Sequence, residues 1–395
     1  MIQKKQMAGR IAVGIDVGTH SVRVVVARDE GTKGYPRIIG TGCAESKGLR
    51  HGYIVNVDDV ARAIRVAANQ AEKVAGVRIR DAFLSIGGIG LDEVRGKGET
   101  IIARAEAEVT DLDIEKAIDV ARDHATVRFQ NRRVLHTVPL AYTVDGTEVM
   151  GRPQGMKGTK LGVETLYVTC LEQHVADMVD AVEAANIGVS DVMASPLAGS
   201  IVSLSNAEKK AGCVLANIGS ETVSIVIFDN GIPVSVKVFR IGSMDITKDI
   251  ALGLRISLEE AEQLKLGAIT HTTYPKKKLD DILAARLTDI FELIDNHLKK
   301  LGKDQLLPAG IILSGGGAGI GPIKEIAEHS LKLHSKIASL QIPSDAKIKD
   351  STWAVAYGLT IWGLTGADGI GGPHFKAAAA HFGKSVGSFL RQFLP

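Results

Sequence analysis

Two short stretches of this chain carry the residue types that grip phosphate. "AVGIDVGTHSVRVVVA", Ala12–Ala27, sets Asp16, Gly18 and Thr19 between two β-branched runs. "CVLANIGSETVSIVIF", Cys213–Phe228, repeats the pattern 201 residues later, with Asn217, Gly219 and Ser220 in the corresponding places. A strand–turn–strand with glycine and a hydroxyl residue at its turn offers successive backbone N–H donors. It lets an anion approach the chain closely and adds a side-chain donor. Two such hairpins, each opening half of a pseudo-symmetric chain, would clamp one polyphosphate between them. A third glycine-rich turn, "LSGGGAG" at Leu313–Gly319, lies between a predicted strand and a predicted helix and suits the base and sugar.

Taken singly, each stretch is also an ordinary tight turn. The triple glycine lacks the Gly-Lys-Ser/Thr of a Walker A loop, and "GGIGLDEV" lacks the spacing of a dinucleotide fingerprint. The order makes the set specific: hairpin, second hairpin, helical insertion, triple-glycine turn, closing helix.

The elements around these turns are legible as periodicities. "NVDDVARAIRVAANQAEKVAG" predicts a helix capped by Asn56 and stopped by Gly76, with Val60, Ile64, Ala67, Ala71 and Val74 on one face. "DAFLSIGG" predicts a strand ending in glycines. From Leu91 to Leu161 the texture changes to mixed charge, a helix starting at Thr110, the strand "VLHTVPLAYTV" and a Gly/Lys-rich loop, which predicts a small α+β insertion. "SPLAGSIVSLS" predicts a short helix with Pro196 in its first turn. "SMDITKDIALGLRISLEEAEQLKLGAI" predicts two helices separated at Gly253 and Arg255. Leu283, Leu287, Ile290, Phe291, Ile294 and Leu298 share the face of a long amphipathic helix.

Composition bounds the rest. A chain of 395 residues predicts two or more domains. The formal net charge of +2 provides no field for nucleic acid, and 4% aromatic residues without basic interleaving speak against stacking platforms. Cys43, Cys170 and Cys213 show no CxxC spacing, so reduced thiols in a cytoplasmic protein are expected. No signal peptide is read at the N-terminus, and no window of about 18 uncharged apolar residues would span a membrane.

The ordered set resembles the actin-like ATPase superfamily, which includes actin, the sugar kinases and the heat-shock chaperone ATPases. Within it the chain is similar to the FtsA family of bacterial cell-division proteins over essentially its whole length. "SKGLRHGYIVNVDDVARAIRVAANQAEKVAG", "VLHTVPLAYTVDG" and "DITKDIALGLRISLEEAEQLK" carry the similarity, and the Leu91–Leu161 insertion falls where that family has its distinctive subdomain. The resemblance implies an α/β fold of two lobes, each with a repeated hairpin-containing mixed sheet. Residues 9–90, 162–205 and 352–366 would form the first core. Residues 91–161 would be the insertion, 206–243 with 305–351 the second core, and 244–304 a subdomain contacting nucleotide and FtsZ, the tubulin-like division protein.

By position, the resemblance assigns ATP and Mg2+ as cofactors. Asp16, Gly18, Thr19 and His20 would form the first phosphate hairpin, with Asp16 facing the magnesium and Arg23 standing where actin has a phosphate-contacting lysine. Gly219, Ser220, Glu221 and Thr222 would form the second. Glu262 and Lys265, one helical turn apart, would reach ribose and adenine, and Gly315, Gly316 and Gly317 would back the base and α-phosphate. Arg286 would pair with an acidic group of the FtsZ C-terminal peptide.

The second hairpin departs from its family. FtsA proteins commonly read Asp-Ile-Gly-Gly-Gly-Thr-Thr-Asp there, against Asn217-Ile218-Gly219-Ser220-Glu221-Thr222-Val223-Ser224 in this chain. Both acids are gone, which removes a partner for magnesium and for a polarised water. Glu221 adds a carboxylate costing roughly 1–4 kcal/mol at about 4 Å from a phosphate if it points inward, and nothing if it points to solvent. Bound ATP with slow or absent hydrolysis is expected, at most a weak ATPase.

The chain ends in "FGKSVGSFLRQFLP", after a Gly/Ala/Pro-containing linker at 367–381. Phe382, Val386, Phe389, Leu390, Phe393 and Leu394 form one helical stripe, with Lys384 and Arg391 among the flanking residues. Such a helix either docks on the protein or lies in an anionic membrane surface. The resemblance favours the membrane, with self-assembly into filaments multiplying weak single anchors. It implies a peripheral protein at the cytoplasmic face of the division site. Small-molecule kinases and pilus-assembly actin-like ATPases are the alternatives; a kinase would need the missing acids, and neither needs the tail. A chaperone ATPase would need a further peptide-binding domain. His51, His136 and His334 lack partners at catalytic spacing, and Ser85, Ser195 and Ser314 lack a nucleophile-elbow context.

Overall fold

β-branched runs and capped amphipathic helices alternate along the chain, and the computed structural model turns them, among the described residues, into three large sheets with helices on their faces and one two-stranded pair. It describes residues 9–31, 34–102, 107–268, 274–342, 348 and 350–366. The first half runs β1 (Ile11–Val17), β2 (Ser21–Arg28), β3 (Arg37–Glu45), the short β4 (Leu49–Arg50) and β5 (Tyr53–Ile54), α1 (Val57–Ala75) and β6 (Asp81–Ile86). Next come β7 (Leu91–Ile101), α2 (Asp111–Ala125), β8 (Arg132–Val144), β9 (Thr147–Val149) and β10 (Lys160–Leu171). α3 (Glu172–Ala184), β11 (Gly188–Ala194), α4 (Ser195–Ser203) and α5 (Asn206–Ala211) lead to the second half. There β12 (Cys213–Ile218), β13 (Val223–Asp229) and β14 (Ile232–Phe239) precede α6 (Ser243–Leu254), α7 (Leu258–Lys265) and α8 (Lys276–Lys300). β15 (Ile311–Ser314), α9 (Ile323–Leu331), β16 (Ser335–Ile337) and α10 (Ala354–Gly366) close the described chain.

The two five-stranded sheets have one topology. The first reads β3-β2-β1-β6-β11 and the second β14-β13-β12-β15-β16. In each, the leading hairpin is antiparallel and its first strand runs parallel to a later strand. The 201-residue offset holds in the register: Asp16 faces Arg23 across the first hairpin, and Asn217 faces Ser224 across the second.

Continuous apolar runs in the hairpins follow from burial on both faces. Val24 and Val26 of β2 pack with Val60, Ile64 and Ala67 of α1, while the intervening Val25 and Ala27 pack with Ala356, Tyr357 and Ile361 of α10. In β12, Val214, Ala216 and Ile218 meet the buried face of α8, whereas Leu215 joins the core of the first half. One interior therefore joins the halves.

The third sheet, β7-β10-β8-β9, is backed by α2 through Ile114, Ala117 and Ala121. It is fixed to β14 by Glu93, whose carboxylate accepts Ser235 Oγ at 2.9 Å and the Val236 N–H at 2.6 Å. Burial pushes the Glu93 carboxyl up, against the pull of those two bonds.

The predicted caps of α1 are present: Asn56 accepts the Asp59 N–H, and Gly76 adopts φ 67°. Val74 departs from the predicted face and is 55% exposed; in this last turn β3 meets the neighbouring Ala75 instead, whose Cβ lies against Gly40. The break between α6 and α7 lies at Arg255, left-handed at φ 58°. Gly253 stays inside α6 because α8 packs against it: a Cβ there would come 2.5 Å from Ile282 Cδ1. The linker and Phe382–Pro395 lie outside the described residues.

Candidate functional site

The turns of both hairpins line one cleft of about 580 Å³. Asp16, Gly18, Thr19, His20 and Arg23 line one wall, and Gly219, Ser220 and Thr222 the other. Glu262 and Lys265 of α7, with Gly315 and Gly316 of the triple-glycine turn, complete it. The structure thus brings together twelve of the fourteen residues assigned to nucleotide. Gly317 stands behind the wall, where a Cβ would lie 2.4 Å from Ile218 Cγ2. Glu221 is not among the lining residues.

α6 orients the second hairpin. Its first amides, Ser243 N–H and Met244 N–H, donate to the carbonyls of Gly219 at 2.9 Å and Ser220 at 2.8 Å. A trans peptide sets its C=O and N–H on opposite sides, so the N–H groups of Ser220 and Glu221 are turned away from α6. These are the donors that a phosphate oxygen needs.

Asp16 is held at the end of β1 by Ser85 Oγ, which donates to its Oδ1 at 2.7 Å from the parallel neighbour β6. Burial pushes the Asp16 carboxyl above its usual range, while the Ser85 bond and the Arg23 charge pull it back. Arg23 also lies over the Trp353 ring, 5.8 Å from its centroid. Ser85 and Ser195 both line the cleft. Neither carries a nucleophile motif; the one sequence signal near Ser85 is the pair of glycines that ends "DAFLSIGG".

Lys265 differs from its predicted role. Its ammonium is buried and donates to Glu262 Oε2 at 2.6 Å, Thr247 Oγ1 at 2.9 Å and the Ser243 carbonyl at 3.2 Å. All three protons are committed, so Lys265 does not reach out; it fixes Glu262. Thr247 Oγ1 donates to the same Glu262 oxygen at 2.6 Å. Burial works against the Glu262 carboxylate, but the Lys265 and Thr247 bonds outweigh it and hold its pKa down, with a smaller contribution from the His20 charge across the cleft. Thr247 and Ser243 had no motif to mark them.

A polyphosphate with a magnesium ion fits this donor set. The cleft supplies backbone amides, the hydroxyls of Thr19, Ser220 and Thr222, and one carboxylate at the hairpin end; Mg2+ is commonly held by one or two carboxylates plus substrate phosphates. No cluster of three His, Cys, Asp or Glu residues that could hold a metal alone is found among the described residues. Asn217 brings an amide where a second acid would stand, its Oδ1 packed beside Gly315.

The remaining candidates sort by their partners. Arg286 is not a solvated cation: its guanidinium pairs with Asp249 at 2.7 Å and Asp289 at 3.2 Å, and the Asp249 bond raises its pKa further. His334 Nδ1 lies 3.1 Å from Glu328. His136 is a satisfied core residue, its Nε2 accepting the Ala194 N–H at 3.0 Å, and burial pushes its pKa down to about 3. A depressed histidine supplies stability that is present above the unfolded pKa of 6.5 and drains as pH falls from there toward 3. His136 therefore contributes a slope of up to about 1.4 kcal/mol per pH unit below that point. Urea unfolding of wild type and His136→Gln across pH 4–7 reads it as a steeper acid loss in wild type; parallel curves would contradict the assignment.

The family model described as "Cell division protein FtsA" matches residues 214–358, and the "SHS2 domain inserted in FTSA" matches 94–169. The second range covers most of the third sheet. The cell division protein FtsA of Bacillus subtilis (strain 168) is 29% identical over 368 residues, 88% of this chain and 82% of that protein. FtsA of Pseudomonas aeruginosa is 28% identical over 383 residues, 90% of each. Among solved structures, a PilM-PilN type IV pilus biogenesis complex superposes with a TM-score of 0.66 at 17% identity, covering 89% of this chain and 98% of that one. The ethanolamine utilization protein EutJ from Carboxydothermus hydrogenoformans gives 0.54 at 14% identity, covering 89% and 90%. These structural likenesses show the fold alone, which is actin-like; the sequence relatives carry the family. With FtsA-specific models matched in both halves and FtsA proteins aligned over most of its length, this chain belongs to the FtsA family of cell-division proteins.

Proposed function

We propose that this protein binds ATP with Mg2+ between its paired hairpins, polymerises on the inner membrane, and tethers FtsZ filaments there during division. The observation that carries the nucleotide part is the matched register of two glycine–hydroxyl hairpins facing one cleft. Mg2+, when bound, would neutralise phosphate charge beside Asp16. The hairpin amides and the hydroxyls of Thr19, Ser220 and Thr222 bind and orient the phosphates. Glu262, fixed by Lys265 and Thr247, meets the sugar. Asn217 and Ser224 offer no carboxylate to polarise water, so nucleotide acts as a structural ligand that stabilises the closed, polymer-competent form by mass action.

Membrane attachment rests on the terminal stripe Phe382, Val386, Phe389, Leu390, Phe393 and Leu394 with Arg391. No helix among the described residues is long and apolar enough to cross a membrane. An acidic FtsZ peptide binding at Arg286 would have to exchange with Asp249 or Asp289. The kinase and pilus-assembly readings are not favoured by the sequence relatives.

Electron microscopy of the full chain with ATP and anionic liposomes, followed by FtsZ, tests the reading. Membrane-coating filaments that recruit FtsZ are expected, and deletion of Phe382–Pro395 is expected to release the protein into the supernatant. Equal pelleting of the truncated chain would remove the membrane claim.

A further inference from the structure

Glu221 belongs to the second hairpin, yet it reaches the first half of the chain. Its Oε2 accepts the backbone N–H of His51 at 2.5 Å, and its carbonyl oxygen lies 3.2 Å from His51 Nδ1. Neither orientation expected from sequence, inward or to solvent, is adopted. His51 and Gly52 are the two turn residues between β4 and β5, at φ 50° and 88°, the pattern of a tight two-residue hairpin.

The far side of that turn is committed as well. The His51 carbonyl accepts the Ile89 N–H at 3.2 Å. Gly52 and Gly88 meet backbone to backbone: a Cβ on Gly52 would lie 2.3 Å from the Gly88 Cα. The Gly88 carbonyl accepts the Leu91 N–H at 3.1 Å, where β7 begins. Arg132 of β8 ties down the Gly90 carbonyl at 2.8 Å. A continuous run of contacts thus leads from the phosphate hairpin to the root of the inserted sheet.

We propose that Glu221 and His51 form a latch between the halves of the protein, which passes the open or closed state of the cleft through Gly88 and Ile89 to the inserted sheet. A charged acceptor makes this bond stronger than a neutral one. Opening the cleft would separate the two residues, since they sit on different halves. The nucleotide dependence rests on the ATP reading above: a phosphate on the hairpin repels the Glu221 carboxylate and favours the position it holds on His51.

Amide hydrogen exchange on the full chain tests the latch, first without nucleotide and then with ATP. In Glu221→Ala, peptides covering 49–54 and 86–94 are expected to exchange about tenfold faster than in wild type, reflecting the lost bond to a charged acceptor. Glu221→Gln keeps an acceptor oxygen and should stay within about threefold of wild type. ATP should slow both peptides in wild type and have less effect in Glu221→Ala. Peptides of β12 and β13 report that the variant is folded; if it is not, Glu221→Gly carries the same expectation. Unchanged exchange at 49–54 in the ATP-free alanine variant overturns the latch, and a change there that leaves 86–94 untouched overturns the coupling. If wild type binds no ATP, the nucleotide reading falls while the ATP-free comparison still decides the latch.

Discussion

Replacing Gly315 by alanine is expected to cost about 2–4 kcal/mol of stability and to weaken ATP binding at least about tenfold. Gly315 has φ 83° and ψ 175°, a region that side-chain-bearing residues essentially avoid. An added Cβ would also meet Asn217 Oδ1 at 2.2 Å and the Ile218 carbonyl at 2.7 Å. The amide can rotate, but the carbonyl belongs to β12 and moves only with the hairpin. Strain and collision therefore act on the same two elements, the triple-glycine turn and the second phosphate hairpin. Gly316→Ala provides the contrast, since nothing lies within 4 Å of a Cβ there. Urea unfolding and nucleotide titration of both variants check the prediction. A Gly315→Ala protein as stable as wild type would show that the turn can rearrange freely.

Lys265→Met is expected to lower stability by roughly 2 kcal/mol and to weaken the nucleoside end of the site by about tenfold. The ammonium is 4% exposed and satisfied by Glu262, Thr247 and the Ser243 carbonyl. Methionine fills similar volume but removes the charge that holds Glu262 and leaves Thr247 Oγ1, which also reaches the Ser243 carbonyl, as the remaining side-chain donor to that carboxylate. The loss stays below that of a fully buried pair because the Glu262 side chain is 39% exposed and water can replace part of the bond. Adding Glu262→Gln should recover part of the stability and none of the affinity, because the two residues act as one unit. A double variant no more stable than Lys265→Met, or one that regains affinity, would contradict that reading.

Local pattern carried much of the architecture. The hairpins were readable because strand pairing within each is local and the repeat preserves it residue for residue, from Asp16 with Arg23 to Asn217 with Ser224. α1 was readable from its cap, its stop and its 3.6-residue period. The face of α8 was likewise readable, Leu283 to Leu298 all being buried. What escaped depends on where distant segments meet. Glu221 and His51 are 170 residues apart, and neither hairpin turn on its own dictates that they touch. The helical spacing of Glu262 and Lys265 put them on one face, but did not show that they pair or that Thr247 and Ser243 would absorb the remaining protons of the lysine. Gly317 was grouped with its neighbours by sequence adjacency, whereas the packing of Ile218 places it behind the wall. Val74 lies at the edge of its helix face, and β3 meets Ala75 beside it.

The central claim is that the paired hairpins hold ATP without turning it over rapidly. Calorimetric titration of the full chain with ATP, with and without Mg2+, measures it most directly when phosphate release is followed in the same samples. The account predicts saturable binding at sub-millimolar ATP, strengthened by Mg2+ and weakened by Gly315→Ala, with phosphate release close to the protein-free blank. Absence of binding at millimolar ATP, or rapid Mg2+-dependent turnover, would contradict it.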